Sequence, residues 1–457
     1  MNENENEALG YNRRDFLKGG SVATLMTMLG GVELFAQTNA EPAGATKAPV
    51  VKIKVAVIGL GAWGREIINT LGRVPEADIA AICDTYQASL KRTATAAPGA
   101  AQTADYKTIL DDKDIKAVIV ATPTFQHKEV ALAAIKAGKH VYCEAPLAGS
   151  IEDAREIALA AKAAKNLAFQ TGLQMRSDMQ RLFLLPFIRT GALGKTVLAR
   201  AQWHKKTSWR STSPSPEREK ALNWRLSKAT SLGLIGEIGI HPIDQAGWFM
   251  NTLPKAVTGF GSVMFWKDDR DVPDTIQAVL EFPGGVQMIY DATLANSFDG
   301  EYEMLYGSDA AIMMRESKAW MFKEVDSPLL GWEVYAAKLK FYNETGIALV
   351  AGASKPPPTD AQGRPVPPDP LTSTPLFYAL SNFLRNAADL GGAAEDYKSS
   401  YGTDDEEGLM DHLGKVPRRA AAGYLEGFQA AVTAVKANEA ILSSKRIELK
   451  PEWYELS

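Results

Sequence analysis

The sequence predicts an α/β protein of two domains: a doubly wound parallel sheet over residues 51–170, then an α+β domain over 171–415 built on an open-faced, mostly antiparallel sheet. Three observations carry this. Between Val51 and Gln170, short apolar runs ("KVAVIGL", "DIAAICD", "KAVIVAT", "KHVYCEA", "NLAFQTG") alternate with Ala-rich amphipathic stretches, the pattern of buried parallel strands and crossover helices. From about Gly194 to Lys323 the runs lengthen and alternate in polarity, as in "TVLARAQWHKK" and "TIQAVLEFPGG", with "PGG" as a hairpin turn. The length of 457 residues, 46% of them hydrophobic, is enough to bury two cores.

Taken in order, the chain opens with "NRRDFLK" and then "GGSVATLMTMLGGVELFAQTNA". The apolar part is short, Gly-rich and broken by Glu33, too weak to span a bilayer and suited to a cleavable leader. The motif resembles a twin-arginine export signal. Residues 1–40 therefore read as that signal, 41–50 as a linker, and the mature protein as periplasmic with the twin-arginine machinery as a partner. The run "SKPPPTDAQGRPVPPDP", 354–370, reads as a surface loop, because its prolines fix φ and lack N–H donors. The acidic run Asp404 to Glu407 reads as a solvated loop. An apolar stripe in "RRAAAGYLEGFQAAVTAVKANEAILSS" lets the C-terminal segment, 416–457, pack back on the first domain.

Net charge of −4 and a pI near 5.9 give no basic field for nucleic acid. An exposed sheet face favours a homo-oligomer. The two cysteines, Cys83 and Cys143, end the second and fifth predicted strands. In a sheet ordered 3-2-1-4-5-6 they lie three strand spacings apart, roughly 14 Å, which predicts two free thiols.

The chemistry begins at "VIGLGAWG", where Gly59, Gly61 and Gly64 follow a strand and open a helix. One glycine makes the tight turn, one lets a pyrophosphate reach the backbone, and one lets the helix pack on the strand. Asp84 ends the next strand, 20 residues beyond Gly64, where a carboxylate accepts from both adenosine ribose hydroxyls and repels a 2'-phosphate. The cofactor read from this pattern is NAD rather than NADP.

"ATPTFQHKEVALAAIKAGKHVYCEAPLA", together with "GLQMRSD" and "GEIGIHPIDQAGWF", resembles the signatures of the Gfo/Idh/MocA oxidoreductases. The resemblance implies a Rossmann domain joined to an open-faced sheet, with NAD(P) and a sugar or polyol meeting between them. It implies that Thr122 and Pro123 line the nicotinamide side, that Glu144 holds the nicotinamide ribose, and that His127, Ala62, Trp63 and Pro146 border the cofactor. His127 also suits the opening of a helix, and Trp63 the packing of the first one.

Two positions depart from the family pattern. The lysine of its E-K-P motif is here Ala145, and the aspartate one turn before its histidine is here Glu237. Glu237 and His241 are spaced i, i+4, so on one helix the carboxylate would orient the imidazole. A hydride leaves a carbinol only if the hydroxyl proton is also taken up, which makes His241 the candidate base and Glu237 its orienter or relay. The same spacing also describes a structural pair, and no third ligand cluster accompanies it to bind a metal.

Candidate substrate residues are His204, Lys205 and Trp209, because aromatic faces stack on sugars and cations donate to hydroxyls, with Lys205 or Lys206 standing in for the missing lysine; the resemblance adds Arg176, which also suits a helix-start surface charge, and Asp244, which also suits a structural role. The function expected is an exported oxidoreductase acting on a sugar, polyol or glycoside with tightly bound NAD. A redox-neutral, NAD-dependent glycosidase or lyase and a non-catalytic NAD- or sugar-binding protein are the alternatives.

Overall fold

The apolar runs of the N-terminal half form six parallel strands: β1 (Ile53–Ile58), β2 (Ala77–Cys83), β3 (Ala101–Thr103), β4 (Ala117–Val120), β5 (His140–Cys143) and β6 (Phe169–Thr171). The computed structural model describes residues 50–316, 318–330, 333, 338–341, 344–349, 373–402 and 404–456. The expected export signal, the linker before Val50 and the Pro-rich loop 354–370 lie outside these residues. Helices α1 (Ala62–Leu71), α2 (Gln87–Thr93), α3 (Tyr106–Asp111), α4 (His127–Lys136) and α5 (Ile151–Ala163) connect the strands.

The spatial order is β3-β2-β1-β4-β5-β6, as the doubly wound reading expects. β4 is buried at every residue, which is why it reads as a continuous apolar run. The order reverses between β1 and β4, so the turn after β1 and the loop after β4 lie side by side and leave a crevice. Cys83 and Cys143, three strands apart, are both free and buried. Burial pushes the Cys83 thiol up to about 12, so it is held unreactive.

The second half supplies α6 (Met179–Arg189), β7 (Thr196–His204), α7 (Pro216–Leu222), α8 (Gly233–Glu237), α9 (Ile240–Met250), β8 (Ala256–Ser262), β9 (Thr275–Glu281), β10 (Gln287–Thr293), β11 (Glu301–Gly307), β12 (Ala310–Arg315), β13 (Lys318–Lys323), β14 (Lys338–Phe341), β15 (Glu344–Leu349) and β16 (Ile447–Glu448). The strands form one sheet in the order β14-β15-β13-β12-β11-β7-β10-β9-β8-β16. It is antiparallel except where β10 runs parallel to β7. The "PGG" turn joins β9 to β10, with Gly284 and Gly285 at φ +76° and +87°. Alternate residues such as Ile276, Ala278 and Leu280 enter a core shared with Phe249, Phe282 and Phe428.

The C-terminal helices are α10 (Pro375–Tyr401), α11 (Glu406–Lys415) and α12 (Tyr424–Ser443). α12 lies between α5 and β8, where Arg155 stacks on Phe428 at 5.1 Å and Thr171 Oγ1 donates to the Gly423 carbonyl at 3.1 Å. Two expectations change here. α10 falls within 171–415, the span expected of the second domain, yet its Leu380, Phe383 and Leu384 pack on the first sheet, and Arg385 pairs with Glu76 at 2.6 Å. Its apolar stripe follows the Pro-rich run, which hid the change of partner. The acidic run is a helix start: Asp405 accepts from the Gly408 N–H at 2.9 Å, and carboxylates suit a first turn.

Candidate active site

The crevice opens into a cleft of about 1300 Å³ between the two sheets. At its first-domain wall the three glycines each have a physical reason. Gly59 sits at φ +97°, and a Cβ there would lie 2.6 Å from the Ala121 backbone. A Cβ on Gly64 would overlap the Gly59 carbonyl, so only glycine lets α1 pack this closely. A Cβ on Gly61 would meet no atom within 4 Å. Its absence therefore serves the cleft and not the fold, which fits a pyrophosphate lying on the turn.

Asp84 is tied to the same turn. Its Oδ2 accepts from the Leu60 N–H at 2.9 Å and its Oδ1 from the Tyr86 N–H at 2.8 Å. Each oxygen keeps a further lone pair for a ribose hydroxyl. Ala62, Trp63, Thr122 and Pro123 line the cleft as expected. Glu144 is buried, its Oε1 has no partner, and the Trp63 side chain donates to the carboxylate. Burial outweighs that bond and pushes the carboxyl up to about 7. Thr122 Oγ1 is likewise buried and unpartnered. These orphaned oxygens and the open space at Gly61 fit a dinucleotide whose ribose hydroxyls and pyrophosphate complete them.

His127 lines the cleft, as expected, and its ring nitrogens are taken up by the protein, whereas Pro146 does not border the cleft. The buried imidazole is wedged between two carbonyls, Nδ1 2.8 Å from Pro146 O and Nε2 2.9 Å from Thr122 O. His127 therefore clamps the loops after β4 and β5. Pro146 is itself buried and lies behind the cleft wall.

The expected dyad is also corrected. α8 ends at Glu237 and α9 starts at Ile240, with Ile238 between them off the helical conformation at φ −124° and ψ −53°. One continuous helix face is therefore lost. The Glu237 carboxylate makes no hydrogen bond to the His241 Nδ1 and accepts from Thr124 Oγ1, Ser231 Oγ and the Leu232 N–H, each at 3.2 Å. Arg225 Nε lies 3.9 Å from it. Glu237 thus links the second domain to the loop after β4. His241 lines the cleft with its Nδ1 buried and unpartnered, and burial pushes the imidazole down to about 4. It is a neutral ring whose Nδ1 makes no hydrogen bond to the protein.

The expected substrate residues divide. Lys205 and Trp209 line the cleft, whereas Lys206 lies over Phe265 at 5.1 Å and does not. Arg176 and Asp244 form a bidentate pair at 2.9 Å beneath Trp248, in a separate cavity of about 290 Å³ against α12. Neither borders the cleft. His204 does not border the cleft, its Nε2 lying 2.6 Å from Asp291 Oδ2. Trp203 and Lys205 line the cleft on either side of it, while His204 is drawn to Asp291 on the neighbouring β10.

Several cleft residues carry no local sequence signal. Arg181 enters a network with Asp178 and Glu303 at 3.1 and 3.0 Å. Arg225 is held between Trp224 and Trp209, 4.7 and 5.7 Å from their rings. Trp209 is at φ +61°, a strained position for a bulky side chain. Ala145 lines the cleft and backs onto Leu173, Leu232 and Ile240, offering no donor. Among the described residues no group of three His, Cys, Asp or Glu could hold a metal ion, and no helix is long and apolar enough to cross a membrane.

Comparison with known proteins agrees with this geometry. Residues 53–172 match the model of an oxidoreductase family with an NAD-binding Rossmann fold, and residues 186–313 match the GFO/IDH/MocA C-terminal domain, together more than half of the chain. The levoglucosan dehydrogenase of Pseudarthrobacter phenanthrenivorans is 34% identical over 149 residues, 32% of this chain and 36% of that protein. Glycosyl hydrolase family 109 protein 2 of a Shewanella species is 28% identical over 218 residues, 44% of this chain and 47% of that protein. The chain thus spans less than half the length of these two relatives. A solved structure of levoglucosan dehydrogenase in complex with NADH and levoglucosan shares the fold, with a TM-score of 0.64 at 20% identity, covering 87% of this chain and 99% of that one.

Proposed function

Because this chain belongs to the Gfo/Idh/MocA family of NAD-binding oxidoreductases, we propose that it oxidises a carbinol of a sugar, polyol or glycoside in the cleft between its two sheets. The observation that carries the reading is His241, whose unpartnered Nδ1 shares one cleft with the orphaned Thr122 and Glu144 oxygens. A carbinol reacting here must give up a hydride, which NAD would accept when bound, and a hydroxyl proton, for which the neutral His241 imidazole is the acceptor. Glu144 and Asp84 would hold the ribose hydroxyls, and the glycine turn the pyrophosphate. Glu237 keeps the domains in register by gripping Thr124. Lys205 supplies the cation that Ala145 lacks.

We further propose that the chain is exported by the twin-arginine route with NAD already loaded; the support is "NRRDFLK", Asn12 to Lys18. Away from a nucleotide pool each cycle must return the cofactor to its starting state. Either a second sugar is reduced, or the same sugar is oxidised, loses its aglycone and is reduced again. Ala145 and the likeness to a glycosyl hydrolase favour this second course.

Mass spectrometry of products from sugars and glycosides incubated with purified protein and no added cofactor separates the readings. We expect about one NAD(H) per chain, with either an oxidised and a reduced sugar in equal amounts or a released aglycone. Bound NAD without any product would leave a binding protein, and no bound NAD with no binding of added NAD would remove the reading. A homo-oligomer is proposed through the open sheet face, where Val279 and Ile289 lie side by side on neighbouring strands. Ile289→Lys should shift the protein to a smaller species in light scattering, and an unchanged mass would exclude that face.

A further inference from the structure

Between β7 and α8 the chain makes a detour, 207–226, that leaves the second sheet and reaches over the cleft to the first domain. It is braced internally. The Ser211 N–H donates to Asn223 Oδ1 and Asn223 Nδ2 to the Ser211 carbonyl, both at 2.8 Å. Glu219 accepts from the Ser213 N–H at 3.1 Å and from Arg210 Nη1 at 3.2 Å. The segment lands on the first domain at two points. Trp224 meets the edge of Phe125 with ring centroids 6.4 Å apart, and the Arg218 guanidinium lies on the face of Tyr86, 4.4 Å from its centroid.

The second landing point sits at a telling place. The Tyr86 N–H is one of the two donors to Asp84, so Arg218 stands directly over the end of the cleft where the ribose-binding carboxylate is held. Arg218 Nε is buried and has no hydrogen-bond partner. A buried N–H left unsatisfied is costly unless something else completes it. The adenosine of a dinucleotide offers what is missing: hydroxyl and ring-nitrogen acceptors, and a flat face for a guanidinium or a phenol ring to stack on.

We propose that Arg218, seated on the Tyr86 ring, is an adenosine-end contact of the dinucleotide site, and that segment 207–226 covers bound NAD so that it leaves slowly. The proposal rests on the cofactor reading above and explains how a cofactor loaded before export would be retained. One domain supplies the glycine turn and Asp84, and the other closes the site over them.

The test is the rate of NADH release, followed by the loss of its fluorescence when protein loaded with NADH is mixed with excess NAD. Arg218→Ala should release NADH about tenfold faster, the loss of one stacked, hydrogen-bonded cation. Tyr86→Ala should do the same, Tyr86→Phe should match wild type because the ring face is kept, and Arg218→Lys should fall between. Melting without cofactor is the control, and the variants should melt with wild type. An Arg218→Ala protein that releases NADH at the wild-type rate overturns the proposal, and one that also melts lower without cofactor makes Arg218 a strut of the fold. Failure of the cofactor reading is distinct, since wild type itself would then hold no NADH.

Discussion

His241→Ala should leave NAD bound and lower turnover by roughly 10² to 10⁴, the usual worth of a positioned base. The two effects separate because the glycine turn and Asp84 belong to the first domain, whereas His241 opens α9 in the second. The pH dependence follows from the depressed pKa. A base acts unprotonated, and burial lowers the His241 imidazole to about 4, so wild-type kcat/KM should hold through the neutral range and fall as pH drops through about 4. The acid limb should disappear in the variant. Glu237→Gln is the companion measurement. Its carboxylate serves Thr124, Ser231 and Leu232, so the amide should raise KM or weaken domain closure and leave the acid limb in place. A Glu237→Gln protein as slow as His241→Ala, with KM unchanged, would restore the dyad that the structure separates.

Gly61→Val should abolish NAD binding while the protein stays folded. Gly61 sits at φ −61°, open to any residue, and a Cβ there meets nothing within 4 Å. The β-carbon therefore adds no clash in the protein and takes up only the space over the turn. Affinity should fall about 100-fold or more, equal to about 2.7 kcal/mol, with melting of the cofactor-free protein unchanged. Gly64→Ala is the contrast, because its Cβ would overlap the Gly59 carbonyl and should damage fold and binding together. A Gly61→Val protein that binds NAD like wild type would mean that the dinucleotide does not lie on this turn. Isothermal titration beside thermal melting reads both outcomes.

What the sequence made legible was local. The glycines, Asp84 and the strand order are set by short runs whose spacing and polarity carry the geometry within a few residues. Thr122, Pro123 and Glu144, which the resemblance to the family rather than the strand pattern singled out, line the cleft on the loops after β4 and β5. The errors share a cause: side-chain direction depends on tertiary structure. Glu237 and His241 have helical spacing, but the helix breaks between them. Arg176 and Asp244 found each other and turned from the cleft, and His204 is drawn to Asp291 while Lys205 lines the cleft. Arg218 and Arg225 sit in a polar stretch without periodicity, and only the fold brings them over the cleft. α10 reads as part of the second domain until Phe383 is seen against Tyr142, their rings 5.7 Å apart.

We propose that NAD on the glycine turn and His241 serve one reaction in one cleft. The most direct test is the near-ultraviolet band of reduced nicotinamide, followed in purified protein loaded with NAD as sugars and glycosides are added without further cofactor. Wild type should show the band rise with the right substrate, to a level no greater than the bound NAD, and His241→Ala, carrying the same NAD, should stay flat. A His241→Ala protein whose band rises as fast and as far as wild type would contradict the account.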